Sequence, residues 1–303
     1  MQADLWLKAR KGKTLAEQRI GILGGSGLYE MEGVKVQDSV NIDTPFGPPS
    51  DPYTICSIDG QEMVFLPRHG EGHRLLPHEI NFRANIFGFK KLGVDRVIAL
   101  SAVGSLKENI KPLDVVVPDQ FIDRTRGRAD TFFGDGIAAH ISFADPICPV
   151  LGKALAEAAE NCPSDVTVHR GGTYLCMEGP AFSTRAESEL YRSWDVSVIG
   201  MTNLQEAKLA REAEICYATA ALVTDYDCWY EGEEEVSVEM LIENLKHNAA
   251  TSQEIIKHAV PRMNGERTCE CGSALENAIL TPPDQIPEET RNRLDIIIGE
   301  YVK

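Results

Sequence analysis

Apolar residues along this chain fall in short unbroken runs rather than in strict alternation with polar ones. RIGILGG (19–25), EMVFLP (62–67), RVIALSAVGS (96–105), DVVVPD (114–119), VSVIGMT (196–202) and CYATAALVTDYD (216–227) are rich in β-branched residues and bounded by Gly, Pro or Asp. A strand covered on both faces has no wet side to alternate with, so these runs predict buried strands. Helical patterns lie between them: 78–93, 149–162, 183–194 and 204–214. Strand, helix, strand repetition over about 200 residues predicts a mostly parallel or mixed sheet with helices on both faces. The longest helical pattern covers 237–260, with Val238, Leu241, Leu245 and Ile256 among its apolar positions, and the acidic EGEEE (231–235) introduces it. Pro and Gly punctuate 261–273 as a loop, and 287–302 reads as a last amphipathic helix. No internal repeat, low-complexity tract or domain boundary interrupts the pattern, so one α/β domain is expected.

Composition narrows the function more than the fold. With 303 residues, 43% of them hydrophobic, the chain can bury a large core without disulfide staples. Its net charge of −16 argues against a nucleic-acid surface, so an anionic substrate must meet a local cluster of cations. Residues 1–19 carry basic side chains but no apolar core of a secretory signal, and no apolar run approaches the roughly 18 residues of a membrane span. A soluble, cytoplasmic protein is expected. The eight cysteines stand at 56, 148, 162, 176, 216, 228, 269 and 271, and only the last two are close in sequence. CEC is not CxxC; its spacing fits a redox-labile pair or two separate partners better than a zinc knuckle, and free thiols in a reducing compartment are the simplest reading.

Chemistry concentrates where the predicted strands end. IGILGGSGLYE (20–30) has the first half of a dinucleotide fingerprint, but Glu30 stands where the third glycine belongs. The proline-dense DTPFGPPSDP that follows cannot be the next strand. What remains is a glycine turn whose N–H groups and Ser26 hydroxyl suit a small oxyanion, or a bare turn. FLPRHGEGH (65–73) places Arg68 and His69 directly after a strand, a donor pair suited to phosphate; Gly70 and Gly72 make a metal set from His69, His73 and His78 improbable. In ALSAVGSL (99–106), small residues and Ser101 allow a ligand to approach the backbone, or simply allow close packing. Thr202 opens a helix with Gln205 three residues on, a capping-box pattern at an anion-favouring terminus. Asp225 and Asp227 alternate at the end of an apolar strand, where paired carboxylates serve acid/base work or recognition of N–H donors.

GGSGLYE, DTPFGPPSD, PRHGEGH, DQFIDRT, MEGPAFSTRAES, IGMTN and TDYDCW, in that order, closely resemble the 5′-methylthioadenosine phosphorylases within the trimeric purine nucleoside phosphorylase family. The resemblance covers about 19 to 260, leaving 1–18 as an extension before a 19–303 domain. It implies a mixed, distorted, β-barrel-like sheet flanked by helices, a homotrimer or homohexamer, and no metal or organic cofactor, with inorganic phosphate as co-substrate. The implied reaction is phosphorolysis of 5′-methylthioadenosine to adenine and 5-methylthioribose 1-phosphate; broader purine nucleoside or methylthioinosine phosphorolysis is the alternative. Carried over by position, Ser26, Arg68, His69, Ser101, Ala102 and Thr202 would bind phosphate, and Met201 would lie under the ribose. Phe182, Ser183, Asp225 and Asp227 would hold the purine, Val238 would line the methylthio pocket, and His140 would reach that pocket from a neighbouring subunit. Asp225 is expected at purine N7 and Asp227 at the exocyclic amine. Two departures from relatives, Gly200 where others have Asn and Ala181 where Arg occurs, would relax specificity for the sugar end. The resemblance also extends to CEC-containing relatives with disulfides, and implies a Cys148–Cys216 bond or a redox role for the CEC element.

Overall fold

A computed structural model describes residues 19–25, 34–163, 166–230, 238–263 and 265–302, with backbone alone for 238–242. Eleven strands form one mixed sheet: β1 (Arg19–Gly24), β2 (Lys35–Val40), β3 (Tyr53–Ile58), β4 (Gln61–Pro67), β5 (Val94–Ser105), β6 (Val115–Val117), β7 (Gln120–Arg124), β8 (Val168–Arg170), β9 (Thr173–Met177), β10 (Val198–Gly200) and β11 (Cys216–Tyr226). The main path runs β2-β3-β4-β1-β5-β10-β9-β7, while β11 pairs with β5 and β6, and β8 extends from β6. Around it pack α1 (Phe82–Lys91), α2 (Pro149–Glu160), α3 (Arg185–Ser193), α4 (Asn203–Glu212), α5 (Val238–Ala259), α6 (Glu288–Arg293) and α7 (Asp295–Ile298). This is a mixed α/β sheet flanked by helices, as the resemblance implies, and all six apolar runs became strands. Among the described residues no helix is long and apolar enough to cross a membrane.

The longest strand, β5, organises the rest. β11 lies parallel to it from Cys216↔Arg96 to Tyr226↔Ser105, with a bulge between Val223 and Asp225. Its other edge is divided: β1 pairs in parallel with Val94 to Ala99, and β10 pairs antiparallel with Gly104 and Ser105. Residues 100–103 are left between those two partners, so the sheet opens into a crevice at its centre. Apolar burial explains the stability of this frame: Ile20, Ile22, Val97, Ile98 and Ala99 are fully or almost fully enclosed and belong to one large core. Ala102 is exposed within the otherwise buried β5, which marks the crevice floor.

Strands β2, β3, β7, β8 and β9 escaped the sequence pattern: β2 is exposed at five of six positions, β7 is nowhere buried, β8 has three residues, and β3 and β9 mix polar with apolar residues. The expected last helix is two short ones. Leu294 leaves helical geometry at φ −102°, ψ 8°, and the bend buries Leu294, Ile297 and Ile298 together in the core. Gly200 also differs from expectation, since its missing side chain does not open the sugar end. A Cβ there would lie 1.9 Å from the Tyr174 hydroxyl, so the tyrosine occupies the space. Replacing Gly200 by Ala is therefore expected to overpack the core and destabilise the protein by about 1–3 kcal/mol in urea denaturation.

Candidate active site

The carboxyl ends of β4, β5 and β11 and the end of β10 converge on the crevice. Arg68 directly follows β4 and is 3% exposed. Its Nη1 donates to the Leu100 carbonyl (2.9 Å) and Nη2 to the Leu23 carbonyl (3.2 Å), tying β1 and β5 to the same guanidinium. The fork is met by Glu206 of α4, which is 1% exposed: Nε and Nη2 both donate to its carboxylate, Nη2 at 3.1 Å. Burial opposes the Arg68 charge, but Glu206 outweighs it and raises the guanidinium pKa. Four of the five N–H groups of an arginine are thereby engaged, and one on Nη1 has no such bond.

His69 is half-buried and stacks on His73 with ring centroids 4.1 Å apart. Its Nδ1 donates to the Leu75 carbonyl at 2.8 Å, which leaves Nε2 as the lone-pair nitrogen. Burial, reinforced by Arg68, lowers its pKa to about 4, so the ring is neutral at physiological pH. Thr202 is buried at the N-terminus of α4, but it does not cap the helix. The expected capping box is not formed, because Gln205 turns away to Arg128 (3.2 Å) and Thr125 (2.8 Å). The Thr202 hydroxyl donates instead to Asn203 Oδ1 at 3.3 Å and the start of α4 has no side-chain cap, an arrangement that leaves its first N–H groups suited to an anion. Ser101 lies 3.4 Å from the Tyr174 hydroxyl, and Tyr174 donates to Asn203 at 3.0 Å, linking the β5 side of the crevice to the start of α4.

At the other end, the bulge in β11 brings Thr224 and Asp225 side by side. The Thr224 hydroxyl donates to Asp225 Oδ2 at 2.6 Å, and Asn244 and Asn248 of α5 donate to the Thr224 and Val223 carbonyls at 2.8 and 3.0 Å. Burial pushes the Asp225 pKa up; the Thr224 hydrogen bond opposes this and neighbouring Asp227 adds to it. Asp227 is buried, and its Oδ2 has no hydrogen-bond partner among the described residues. Gly104 lies beneath both: a Cβ there would stand 3.4 Å from Asp225 Oδ1 and 3.6 Å from Asp227 Cβ.

Arg68, His69, Ser101, Ala102, Thr202, Asp225 and Asp227 therefore gather along one strand. Half-buried Met201 follows β10 and packs against Gly179, whose added Cβ would meet the Met201 sulfur at 2.6 Å. Ser183 is joined to the acidic end through its carbonyl, which accepts from Cys228 at 3.4 Å, whereas Phe182 projects outward at 79% exposure. Exposed His140 stands elsewhere within the chain, its N–H bonded to the Ala278 carbonyl at 2.9 Å. Ser26 and the extension 1–18 lie outside the described residues, as does the side chain of Val238. Sequence reasoning missed Glu206, Tyr217 and Arg128. Tyr217 donates to Glu206 at 2.7 Å, and Arg128 donates to the carbonyls of Met177, Glu178 and Met201. The place of Glu206 on α4 is no signal in itself, since Glu212 of the same helix is buried and is met by the Thr131 hydroxyl and the Phe132 N–H.

One crevice of the mixed sheet thus carries the buried Arg68–Glu206 pair at one end and the carboxylates of Asp225 and Asp227 at the other. Residues 19–261 match the phosphorylase superfamily, and the chain belongs to that family. It is 61% identical to the S-methyl-5′-thioadenosine phosphorylase of Geobacter sulfurreducens over 94% of this chain and 100% of that protein. It is 59% identical to the enzyme of the same name from Thermosynechococcus vestitus, over 94% and 99%. Among solved structures, a methylthioadenosine phosphorylase from an Antarctic soil metagenomic library superposes with TM-score 0.89 at 49% identity, covering 93% of this chain and 99% of that one. The methylthioadenosine phosphorylase of Schistosoma mansoni in complex with adenine gives TM-score 0.79 at 35% identity, covering 86% and 96%.

Two outcomes test this geometry. The His69 ring should stay neutral, with its proton on Nδ1, as pH falls from 8, and titrate only near about 4 by nitrogen NMR; titration near the ordinary value of about 6.5 would contradict its burial. Glu206→Gln strands a buried guanidinium and should cost about 3–5 kcal/mol in chemical denaturation.

Proposed function

We propose that the protein cleaves 5′-methylthioadenosine with inorganic phosphate, releasing adenine and 5-methylthioribose 1-phosphate. The observation that carries this reading is the layout of β5. Arg68 is anchored at Leu100, Ala102 is bare, and Gly104 carries Asp225 and Asp227 above it. Four residues of strand span about 13 Å, room for a phosphate, a sugar and a base laid end to end.

Breaking an N-glycosidic bond places positive charge on the ribose and negative charge on the departing purine. Phosphate held by Arg68, His69, Ser101, the Ala102 backbone and Thr202 stabilises the first and supplies the nucleophile. Neutral His69 offers Nε2 as an acceptor for the proton of hydrogen phosphate, orienting an unprotonated oxygen toward the sugar. Asp225, favoured in its protonated form by burial, gives its proton to purine N7. The unpartnered Asp227 Oδ2 accepts from the exocyclic amine. A 6-oxopurine would present an acceptor to that same oxygen and leave both unpaired, so adenine is preferred. The site needs no metal or organic cofactor for these steps.

A homotrimer or homohexamer in the cytoplasm completes this reading, since His140 reaches a methylthio pocket only across a subunit boundary. Adenine release should require phosphate and favour methylthioadenosine over adenosine and methylthioinosine, as followed by chromatography of the free base. Release without phosphate would make the enzyme a hydrolase. Asp225→Asn should shift relative kcat/KM toward 6-oxopurines by about tenfold or more, and should flatten the fall in rate that accompanies rising pH as Asp225 ionises. An unchanged base preference would remove Asp225 from the base site.

A further inference from the structure

The described residues hold a second cluster of reactive groups, at the far end of β11 from Asp225. Cys216 opens this strand and Asp225 closes its last turn of the ladder, about 30 Å away along an extended chain. Beside Cys216 stand Cys148, at the N-terminus of α2, and Cys269 and Cys271, from the segment after α5. The four sulfur atoms all lie within 4.8 Å of one another, and those of Cys216 and Cys269 are 3.3 Å apart. All eight cysteines are free thiols, so the expected Cys148–Cys216 bond is not formed, although the two residues do adjoin. The one-residue spacing of CEC, which seemed unsuited to a metal, is offset by ligands brought from two distant elements.

The geometry points to a structural zinc site made by Cys148, Cys216, Cys269 and Cys271, separate from the phosphorolysis crevice. Zinc bound tetrahedrally by thiolates at about 2.3 Å holds its sulfurs about 3.8 Å apart, so small side-chain rotations convert this cluster into a coordination shell. A disulfide needs sulfurs to approach in pairs, whereas here each sulfur is near the other three. Three of the four cysteines are buried and the fourth half-buried, which matches a closed structural site without an open position for water. The surroundings suit a negatively charged shell: the Leu151 N–H donates to Cys148 Sγ at 3.4 Å from the first turn of α2, where the helix dipole favours anions. Cys148 is itself held to the strand, its N–H donating to the Tyr217 carbonyl at 2.9 Å.

The metal would fasten 269–271 to α2 and β11. That segment continues into Ala278 and Ile279, which pair with Ala139 and His140. Zinc is thus placed to hold the support of the His140 loop.

The test is metal analysis of the full chain, purified under reducing conditions without chelator. About one zinc per chain is expected, and reduced, metal-stripped protein titrated with cobalt should develop the visible absorption of a tetrahedral tetrathiolate site at the same stoichiometry. Zinc, but not magnesium, should raise the thermal midpoint of the stripped protein. Cys271→Ser should lose the bound metal, and Cys228→Ser, at an exposed thiol outside the cluster, should keep it. The cobalt titration uses the wild-type chain and so decides the matter even where Cys271→Ser does not fold. No stoichiometric metal after reconstitution, or a mass showing the four thiols oxidised to disulfides in the reduced preparation, overturns the site.

Discussion

The buried contact between Arg68 and Glu206 is the constraint on which the active crevice depends. It joins the carbonyl of β1 at Leu23, the carbonyl of β5 at Leu100, and helix α4 through one planar group. Neither charge could be enclosed alone, because the desolvation penalty for an isolated ion exceeds what packing returns. The pair is surrounded by further polar contacts: Tyr217 donates to Glu206, and Asn203 donates to Tyr217 and Thr219 at 2.9 and 2.7 Å. A network in which all but one of the guanidinium donors is met fixes geometry as well as charge. Arg68 is therefore a rigid donor with one direction left to offer, not a loose cation that folds onto its ligand.

This also accounts for how a chain of net charge −16 can receive phosphate. The global field is unfavourable, so selectivity must come from local N–H groups, some of them on buried residues such as Arg68, where electrostatic interactions are stronger than in bulk solvent. The acidic end works in the opposite sense. Burial pushes the Asp225 pKa up, the Thr224 hydrogen bond opposes this, and the neighbouring Asp227 adds to the rise. The Arg68 end and the carboxylate end of the crevice thus differ in sign and stand four strand residues apart, from Leu100 to Gly104.

Much of this was legible before the coordinates. The unbroken apolar runs identified β1, β4, β5, β6, β10 and β11, because strands covered on both faces leave no other signature. The donors after β4 and the carboxylates at the end of β11 were likewise visible as polar residues at strand ends. What the chain could not display was partnership across long separations. Glu206 lies 138 residues from Arg68, and nothing near either position names the other. The capping pattern at Thr202 and Gln205 misled because Arg128, far away in sequence, claims the glutamine. CEC likewise gave no sign of its spatial neighbours, Cys148 and Cys216, which the fold supplies.

The bulge in β11 carries a consequence about length rather than identity. Successive residues of a regular strand point to opposite faces, so Thr224 and Asp225 would not ordinarily meet. One surplus residue lets the hydroxyl and the carboxylate share a side and re-phases everything that follows, Asp227 included. Counting is thus part of what places Asp225 and Asp227: losing or gaining a single residue at this point would move both carboxylates without altering any side chain. In the divergence of such a site, insertions and deletions here carry as much chemical meaning as substitutions.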